Sequence, residues 1–428
     1  MNDPSVLTSR HIGFVSTRFS GTDGVSLETQ KWAAVLERLG HTCFYLAGSS
    51  DRPVDRSRIV PESLFTHPDI HTIYGAAFSQ RTRSPEITRL IHQLKDHLKA
   101  QIYAFVLDFD IELLISENAL TIPMNIPLGL ALTEFIAETG FPTIAHHHDF
   151  FWERKRFLVN CVWDYLNMAF PPHLPSIRHV VINSSAANQL SLSTGISSLL
   201  VPNVMDFDHP PPPLDEYARD VRQALGMAPD EKMLLQPTRV VQRKGVEHAI
   251  ELVNQLGLKA RLVISHAAGD EGDAYEHRVR DFADLLDVPT NFVSDIIKEQ
   301  RGTTQDGRKI YTLGDVYPHA DLVTYPSDIE GFGNAFLEAI YYRRPIVVNN
   351  YSIFDIDIKP KGFRVIEFDG YITAETVQHV RQALDDPQLA QDMTQHNYRL
   401  ARRHYSYTML ERRLQTLIAD CFGERRDD

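Results

Sequence analysis

Cysteine, long apolar runs and net positive charge are all scarce in this chain of 428 residues. The three cysteines, Cys43, Cys161 and Cys421, are far apart and include no CxxC pair, which excludes a disulfide framework and a cysteine-based zinc site. No run of about 18 apolar residues is present, so no membrane span is expected. Residues 1–19 also lack the uninterrupted apolar stretch of a signal peptide. We therefore expect a cytoplasmic protein without stable membrane association.

The charge balance excludes another class of partner. With 43 Lys and Arg against 56 Asp and Glu, the net charge is −13. Nucleic-acid binding depends on many basic side chains that neutralise phosphates, so no nucleic-acid partner is expected. The charge balance leaves open a local basic pocket for one small anion. The length suggests two or three domains at about 150 residues each.

Short apolar runs alternate with helical patterns along most of the chain. In the first half this pattern predicts a helix over 27–39 and strands over 11–17, 42–47, 102–106, 143–146 and 179–183. Four consecutive prolines within 201–214 then interrupt it, as a semi-rigid connector does. After them the pattern predicts helices over 246–256 and 334–342 and strands over 233–236, 261–265, 291–294, 322–325 and 346–349. The alternation indicates two α/β domains, each with a parallel sheet covered by helices.

The strongest motif is YPSDIEGFGNAFLE, at Tyr325–Glu338. A predicted strand leads into a glycine-containing turn and then into a helix that begins near Asn334. Glycines let the backbone approach a ligand, and the helix N-terminus presents unpaired N–H groups. Together with Glu330 and Glu338 this pattern is typical of a site for a ligand that carries hydroxyls and phosphate. The alternative is a strand–turn–helix with a capping carboxylate.

A second motif, PTRVVQRKG, also lies between a predicted strand and a predicted helix. Its Arg239 and Lys244 are five residues apart across a turn and can converge on one anion. Arginine offers a planar fork and lysine a point charge, a combination that suits a diphosphate. The alternative is a solvated basic loop.

Together the two motifs resemble the retaining glycosyltransferases of family 4. The E-x7-E signature of that family corresponds to Glu330 and Glu338, and its Arg-x4-Lys pair to Arg239 and Lys244. The resemblance implies an α/β protein with the GT-B fold, in which two Rossmann-like domains face each other across a cleft. It implies an acceptor-side domain at 1–205, a nucleotide-sugar-binding domain at 206–400, and a C-terminal helix at 401–428 that crosses back to the first domain.

The resemblance also assigns roles in donor binding. Arg239 and Lys244 neutralise the diphosphate and stabilise it as a leaving group, and Glu330 contacts the hexose hydroxyls. Glu338 accepts the ribose hydroxyls. The remaining donor contacts are backbone amides, at Gly24 in the first domain and at Phe332, Gly333 and Asn334 in the second. No cofactor is required, because in GT-B enzymes basic side chains and helix termini carry the charge of the leaving group.

Three adjacent histidines, His146, His147 and His148, follow a predicted strand and precede Asp149. Neighbours on an extended chain point to opposite faces, so the three cannot all ligate one ion, and no metal is expected. The resemblance implies that His148 reaches the donor sugar and the reaction centre, with His146 as the alternative. In a purely structural interpretation, these residues only cap a strand end.

The acceptor is the least defined part of the site. Arg154 and Arg156 follow the histidines and can bind an anionic acceptor such as a sugar phosphate or a glycerate. The alternative is the solvated basic start of a helix. The other residues expected on the acceptor side are Asn118, His146 and Asp149. The resemblance implies a hexosyltransferase that uses UDP-glucose or GDP-mannose and forms an α-glycoside on a small hydroxyl acceptor. A sugar-nucleotide epimerase or phosphorylase of the same fold, or a non-catalytic sugar or nucleotide binder, is the alternative. The sequence leaves the oligomeric state open.

Overall fold

The computed structural model describes residues 9–21, 24–269 and 272–423. The chain divides into two compact units. The first takes in the chain up to Asn203 and again from Tyr407, and the second is Val204–Ser406. Within the described residues, no helix combines the length and the apolar character needed to cross a membrane.

The first unit is built on a seven-stranded parallel sheet with the order β3-β2-β1-β4-β5-β6-β7. Its strands are β1 (His11–Val15), β2 (Thr42–Ala47), β3 (Ser57–Ile59), β4 (Leu113–Glu117), β5 (Thr143–His147), β6 (Ile177–Val181) and β7 (Leu199–Leu200). Its helices before the first boundary are α1 (Gly24–Arg38), α2 (Pro68–Ala77), α3 (Pro85–Asp108), α4 (Ile126–Thr139), α5 (Lys155–Leu158), α6 (Trp163–Ala169) and α7 (Ser184–Thr194). Strand order reverses between β1 and β4, and ligands of such sheets bind beyond the carboxyl ends of the strands at that point.

The strand predicted at 102–106 is wrong, because these residues belong to the long helix α3. Apolar residues at Leu98, Ile102 and Phe105 recur every three to four positions and are buried, which is the helical period. The strand of this region is β4, whose five residues are all buried. A strand covered on both faces has a continuous apolar run, which in β4 is Leu113–Ile115, and two buried polar residues, Ser116 and Glu117, follow it.

The second unit holds a six-stranded parallel sheet with the order β10-β9-β8-β13-β14-β15 and a small antiparallel hairpin, β11-β12. Its strands are β8 (Lys232–Gln236), β9 (Ala260–Ile264), β10 (Thr290–Phe292), β11 (Gly302–Thr303), β12 (Lys309–Ile310), β13 (Leu322–Tyr325), β14 (Ile346–Asn349) and β15 (Ile366–Phe368). Its helices are α8 (Val221–Ala224), α9 (Val246–Leu256), α10 (Ala274–Leu285), α11 (Leu313–Val316), α12 (Asn334–Tyr341), α13 (Ala374–Asp385) and α14 (Pro387–Tyr405). This is the strand order of dinucleotide-binding Rossmann sheets, with its reversal between β8 and β13. The predicted bounds of β2, β13, β14 and α9 are confirmed.

The unit boundaries differ from the sequence-based division. The first lies between Asn203 and Val204, two residues ahead of the predicted boundary, and the proline run lies in the second unit in both divisions. The second lies between Ser406 and Tyr407, so residues 401–406 belong to the second unit and not to the C-terminal segment. The reason is that α14 continues without a break to Tyr405, which is buried in that unit. Helix α15 (Tyr407–Phe422) belongs to the first unit, where it contacts α1 and β6.

Candidate active site

In the second unit, the loops that follow β8 and β13 lie side by side at the reversal of strand order. The peptide N–H of Asp328 donates to the carbonyl of Arg243 over 2.9 Å. Gly245 adopts a φ of +56°, and a Cβ atom there would lie 2.5 Å from the carbonyl oxygen of Pro326. Only glycine permits this approach. The two motifs singled out from the sequence therefore form one structural feature.

Lys244 and Glu330 form an ion pair within that feature. The Lys244 Nζ contacts Glu330 Oε1, and the Arg243 guanidinium lies 3.9 Å from the other carboxylate oxygen. The side chains of Lys244 and Glu330 are only 11% and 9% exposed. Burial lowers the pKa of Lys244, and the Glu330 carboxylate opposes that shift. The residues assigned to the diphosphate and to the hexose are thus in direct contact with each other.

A histidine that was not predicted from the sequence, His266, lies near Arg239 and Lys244. His266 follows β9, and its Nδ1 lies 2.7 Å from the Ser265 hydroxyl. Burial lowers the pKa of His266, and the charges of Arg239 and Lys244 lower it further. The imidazole is therefore neutral at neutral pH and can both donate and accept a hydrogen bond beside the two cations. The sequence indicated this residue only by its position just after β9, the strand next to β8.

The glycine turn before α12 is shaped by two tyrosines. Gly333 has a φ of +128°, and a Cβ atom there would lie 2.6 Å from the hydroxyl of Tyr351 and 3.1 Å from that of Tyr325. The Tyr351 hydroxyl donates to the carbonyl of Phe332 over 2.8 Å, and the Phe332 side chain is buried. Asn334 is half-buried at the first position of the helix. Any ligand contact of Phe332 and Gly333 is therefore restricted to the backbone.

Glu338 lies on α12 and is held by a tyrosine from an earlier part of the chain. The hydroxyl of Tyr317 donates to Glu338 Oε2 over 2.9 Å. Burial raises the pKa of Tyr317, and the Glu338 carboxylate raises it further, so the phenol keeps its proton. The ring of Tyr317 stacks on Tyr342 with centroids 4.8 Å apart. This partner of Glu338 was not predicted, since no local pattern links the two positions.

In the first unit, the ends of β4 and β5 bring together a carboxylate and two imidazoles. Glu117 pairs in register with His146 across the sheet. Its Oε2 lies 3.0 Å from His146 Nδ1 and 3.1 Å from His148 Nε2. All three side chains are buried, and the ring of Trp32 on α1 stacks on His146 with centroids 4.1 Å apart. Sequence reasoning missed Glu117 because it misplaced the strand that carries it.

The middle histidine of the run, His147, faces the other side of the sheet. His147 Nδ1 contacts the Thr121 hydroxyl, and its Nε2 lies 2.9 Å from His179 Nδ1. Alternation along the strand therefore separates His147 from its neighbours, as expected. The same alternation leaves His146 and His148 on one side, where the adjacent strand adds Glu117. The ligand atoms of these three groups all lie within 4.8 Å of one another. The expectation that no metal binds was based on the three histidines of one strand. It does not apply to His146 and His148 together with Glu117 of the adjacent strand.

The residues predicted on the acceptor side form a chain of hydrogen bonds next to this cluster. Asn118, at a φ of +58°, accepts a hydrogen bond from the His148 amide over 2.9 Å and donates to Asp149 over 3.1 Å. The second oxygen of Asp149 pairs with Arg154. The Arg156 guanidinium lies over the Phe157 ring at 4.7 Å, and its Nη2 donates to the Met124 sulfur over 3.2 Å.

Gly24 was predicted to approach the donor from the first unit, but its position in the structure does not require a glycine. Gly24 is the exposed first residue of α1, and a Cβ atom there would meet nothing within 4 Å. Gly21, by contrast, has a φ of +84°. Asp23 lies outside the described residues. Gly24 therefore stays a prediction that rests on the sequence motif.

Comparison with known proteins places the chain in a family. Residues 304–400 match the model of the family described as glycosyl transferases group 1. A mannosylglucosylglycerate synthase of Thermotoga maritima is 30% identical, with 94% of this chain and 97% of that protein covered. A mannosylglucosylglycerate synthase of Petrotoga mobilis is 29% identical, with 83% and 86% covered. A glycosyltransferase of Rickettsia africae shares the fold, with a TM-score of 0.69 at 13% identity over 98% of this chain and 100% of that chain. The chain belongs to the family of the mannosylglucosylglycerate synthases, and it is a glycosyltransferase with the GT-B fold.

Proposed function

We propose that this enzyme is a retaining glycosyltransferase of family 4 that transfers mannose from GDP-mannose to a small glycerate-bearing glucoside. The observation that carries the proposal is the near full-length similarity to two mannosylglucosylglycerate synthases. Their names describe a product in which mannose is joined to glucosylglycerate. The proposed acceptor is accordingly glucosylglycerate, which is a small carboxylate with free hydroxyls.

The second unit is proposed to bind the donor. Arg239 and Lys244 neutralise the diphosphate, where negative charge grows as the sugar leaves. Glu330, released from its pairing with Lys244, then binds the hexose hydroxyls. Glu338 binds the ribose, and the amides at 332–334 contact sugar and diphosphate. The two cations supply the charge that a metal supplies elsewhere, so donor activation requires no cofactor.

Retention is proposed to follow a front-face route. The bond between the anomeric carbon and the diphosphate oxygen breaks as the bond from that carbon to the acceptor oxygen forms on the same face. The acceptor proton passes to the departing diphosphate, so no carboxylate nucleophile is needed. His148 is proposed to contact the donor sugar, and Gly24 to contact the diphosphate or the acceptor. Arg154, with Asn118 and Asp149, is proposed to face the carboxylate of the acceptor.

A donor and acceptor matrix tests the proposal. The enzyme is incubated with GDP-mannose, UDP-glucose or ADP-glucose, each with glucosylglycerate, glycerate or a sugar phosphate. Released nucleoside diphosphate and product mass are measured, and NMR reports the anomeric configuration. We expect the α-mannoside from GDP-mannose and glucosylglycerate. Release with none of the nine pairs would refute transfer, and an inverted product would refute retention. Preference for a sugar phosphate would refute the proposed acceptor but keep the reaction class.

A further inference from the structure

We propose that Glu117, His146 and His148 bind one divalent transition-metal ion in the first unit. His148 is also the proposed contact to the donor sugar, but the metal proposal rests on the geometry of these three side chains and not on the proposed substrates. It concerns side chains that meet at the carboxyl ends of β4 and β5.

The ligand set has the composition of a transition-metal site. Two imidazole nitrogens and one carboxylate oxygen form a common protein set for zinc and related ions. Zinc bonds of about 2.0–2.2 Å to these atoms separate neighbouring ligands by about 3–3.6 Å in a tetrahedral site. Glu117 Oε2 already lies 3.0 Å and 3.1 Å from the two ring nitrogens. An ion can therefore take the place of the two hydrogen bonds with small side-chain rotations.

The three ligands are held on rigid elements. Glu117 and His146 are register neighbours on adjacent parallel strands, and His148 follows two residues later on the same side. The Ser16 hydroxyl donates to the backbone carbonyl of Glu117 over 2.9 Å. Trp32 stacks on the His146 ring at an interplanar angle of 23° and fixes its orientation. Such support reduces the reorganisation that metal binding requires.

The burial of the carboxylate also favours a cation. Glu117 is completely buried, and the hydrogen-bond partners of its carboxylate are the two imidazoles. A buried carboxylate needs a proton or a cation nearby, because an unpaired buried charge is costly. A divalent ion compensates this charge while both imidazoles stay neutral, the form in which histidine binds metals.

Three protein ligands leave a coordination position open. His148 is the most exposed of the three, at 9%, so that position is reached from its side. Coordination through Nε2 leaves Nδ1 of His148 available for the substrate contact proposed above. The open position suits water or an oxygen of a bound ligand, as in zinc sites with three protein ligands.

Direct metal binding tests the proposal without any glycosyl transfer. The full-length chain without an affinity tag is stripped with a chelator, dialysed and titrated with Zn²⁺ and with Mg²⁺ in a calorimeter. We expect one Zn²⁺ per chain and much weaker Mg²⁺ binding, since imidazole favours zinc. Glu117→Gln and His148→Gln should weaken Zn²⁺ binding by at least about 10-fold. His209→Gln, at an exposed histidine with 67% accessibility, should leave it unchanged.

Several outcomes would overturn the proposal. One is the absence of a stoichiometric Zn²⁺ site in the wild type, and another is equal affinity in the wild type and both ligand variants, which would place the ion at other histidines. If the variants do not fold, Co²⁺ is added to the stripped wild type. An intense visible absorption that Zn²⁺ displaces supports a four-coordinate site, and the weak spectrum of hydrated Co²⁺ overturns it. Because no sugar donor is present, a negative result leaves the proposed transfer untouched.

Discussion

Replacement of Lys244 by methionine probes the buried ion pair with Glu330. The substitution keeps the length of the side chain but leaves the Glu330 carboxylate, 9% exposed, without its closest cation. Removal of one partner of a buried pair costs about 3–5 kcal/mol. For a unit of this size, that loss lowers the unfolding midpoint of the second unit by about 6–20 °C. If Lys244 also stabilises the leaving group, transfer falls by about 100–1000-fold.

A double variant separates the two effects. Lys244→Met with Glu330→Gln removes both charges, so no charge stays buried without a partner. We expect it to recover more than half of the lost stability, while transfer stays at or below the level of the single variant because Glu330→Gln also removes a proposed hexose contact. Lys259→Met is the matched control, because Lys259 pairs with Asp230 at the surface, with 56% and 71% exposure. That control should cost less than about 1 kcal/mol.

Calorimetric unfolding and steady-state transfer are measured on all four proteins. Equal unfolding temperatures of Lys244→Met and Lys259→Met would refute the expected stabilisation, since the pair would then contribute nothing in its buried position. Recovery of transfer in the double variant would refute a direct role of Lys244, because Lys244 would then act only through Glu330.

Three further predictions concern other parts of the fold. Gly333→Ala should cost about 3 kcal/mol in chemical unfolding, because a tyrosine hydroxyl lies 2.6 Å from the new Cβ, whereas Gly370→Ala, with open space, should cost about 1–2 kcal/mol; equal costs would contradict the steric argument. Burial and the charge of a neighbouring histidine lower the pKa of His179 to about 4. Between pH 6.5 and 4 the unfolded chain therefore binds a proton that the folded chain does not. The free energy of unfolding decreases as the pH is lowered through this range, by up to about 1.4 kcal/mol per pH unit. Urea midpoints should fall less steeply in His179→Asn, and parallel pH dependences would contradict this. Tyr317→Phe removes the hydrogen bond to Glu338 and should raise KM for the donor about 5–10-fold at unchanged kcat; an unchanged KM would separate Glu338 from donor binding.

Much of the second unit could be predicted from local sequence. The bounds of β13 and of α9 follow from apolar patterns within each segment. The turn before α12 follows from its glycines, and the spacing of Glu330 and Glu338 is short enough to be read along one strand–turn–helix. These features depend on residues close together in the chain, so their signals are present in the sequence itself.

The first unit shows where local patterns fail. The apolar run at 102–106 suits a strand or a helix, and only its place in the long helix α3 decides between them. The true strand, β4, lies further along the chain and carries Glu117. Three adjacent histidines were correctly expected to alternate, yet the partner that makes two of them a cluster comes from the neighbouring strand.

The sequence by itself determined the class of protein, the alternation of strands and helices, and the residues of the two second-unit motifs. Tertiary structure alone decided which of these residues touch. It pairs Lys244 with Glu330, holds Glu338 with Tyr317, and encloses Glu117 between His146 and His148. The physical reason is that strand order in a parallel sheet is set by packing of whole layers. Side chains far apart in sequence come into contact at the ends of adjacent strands, and local sequence periodicity cannot predict these contacts.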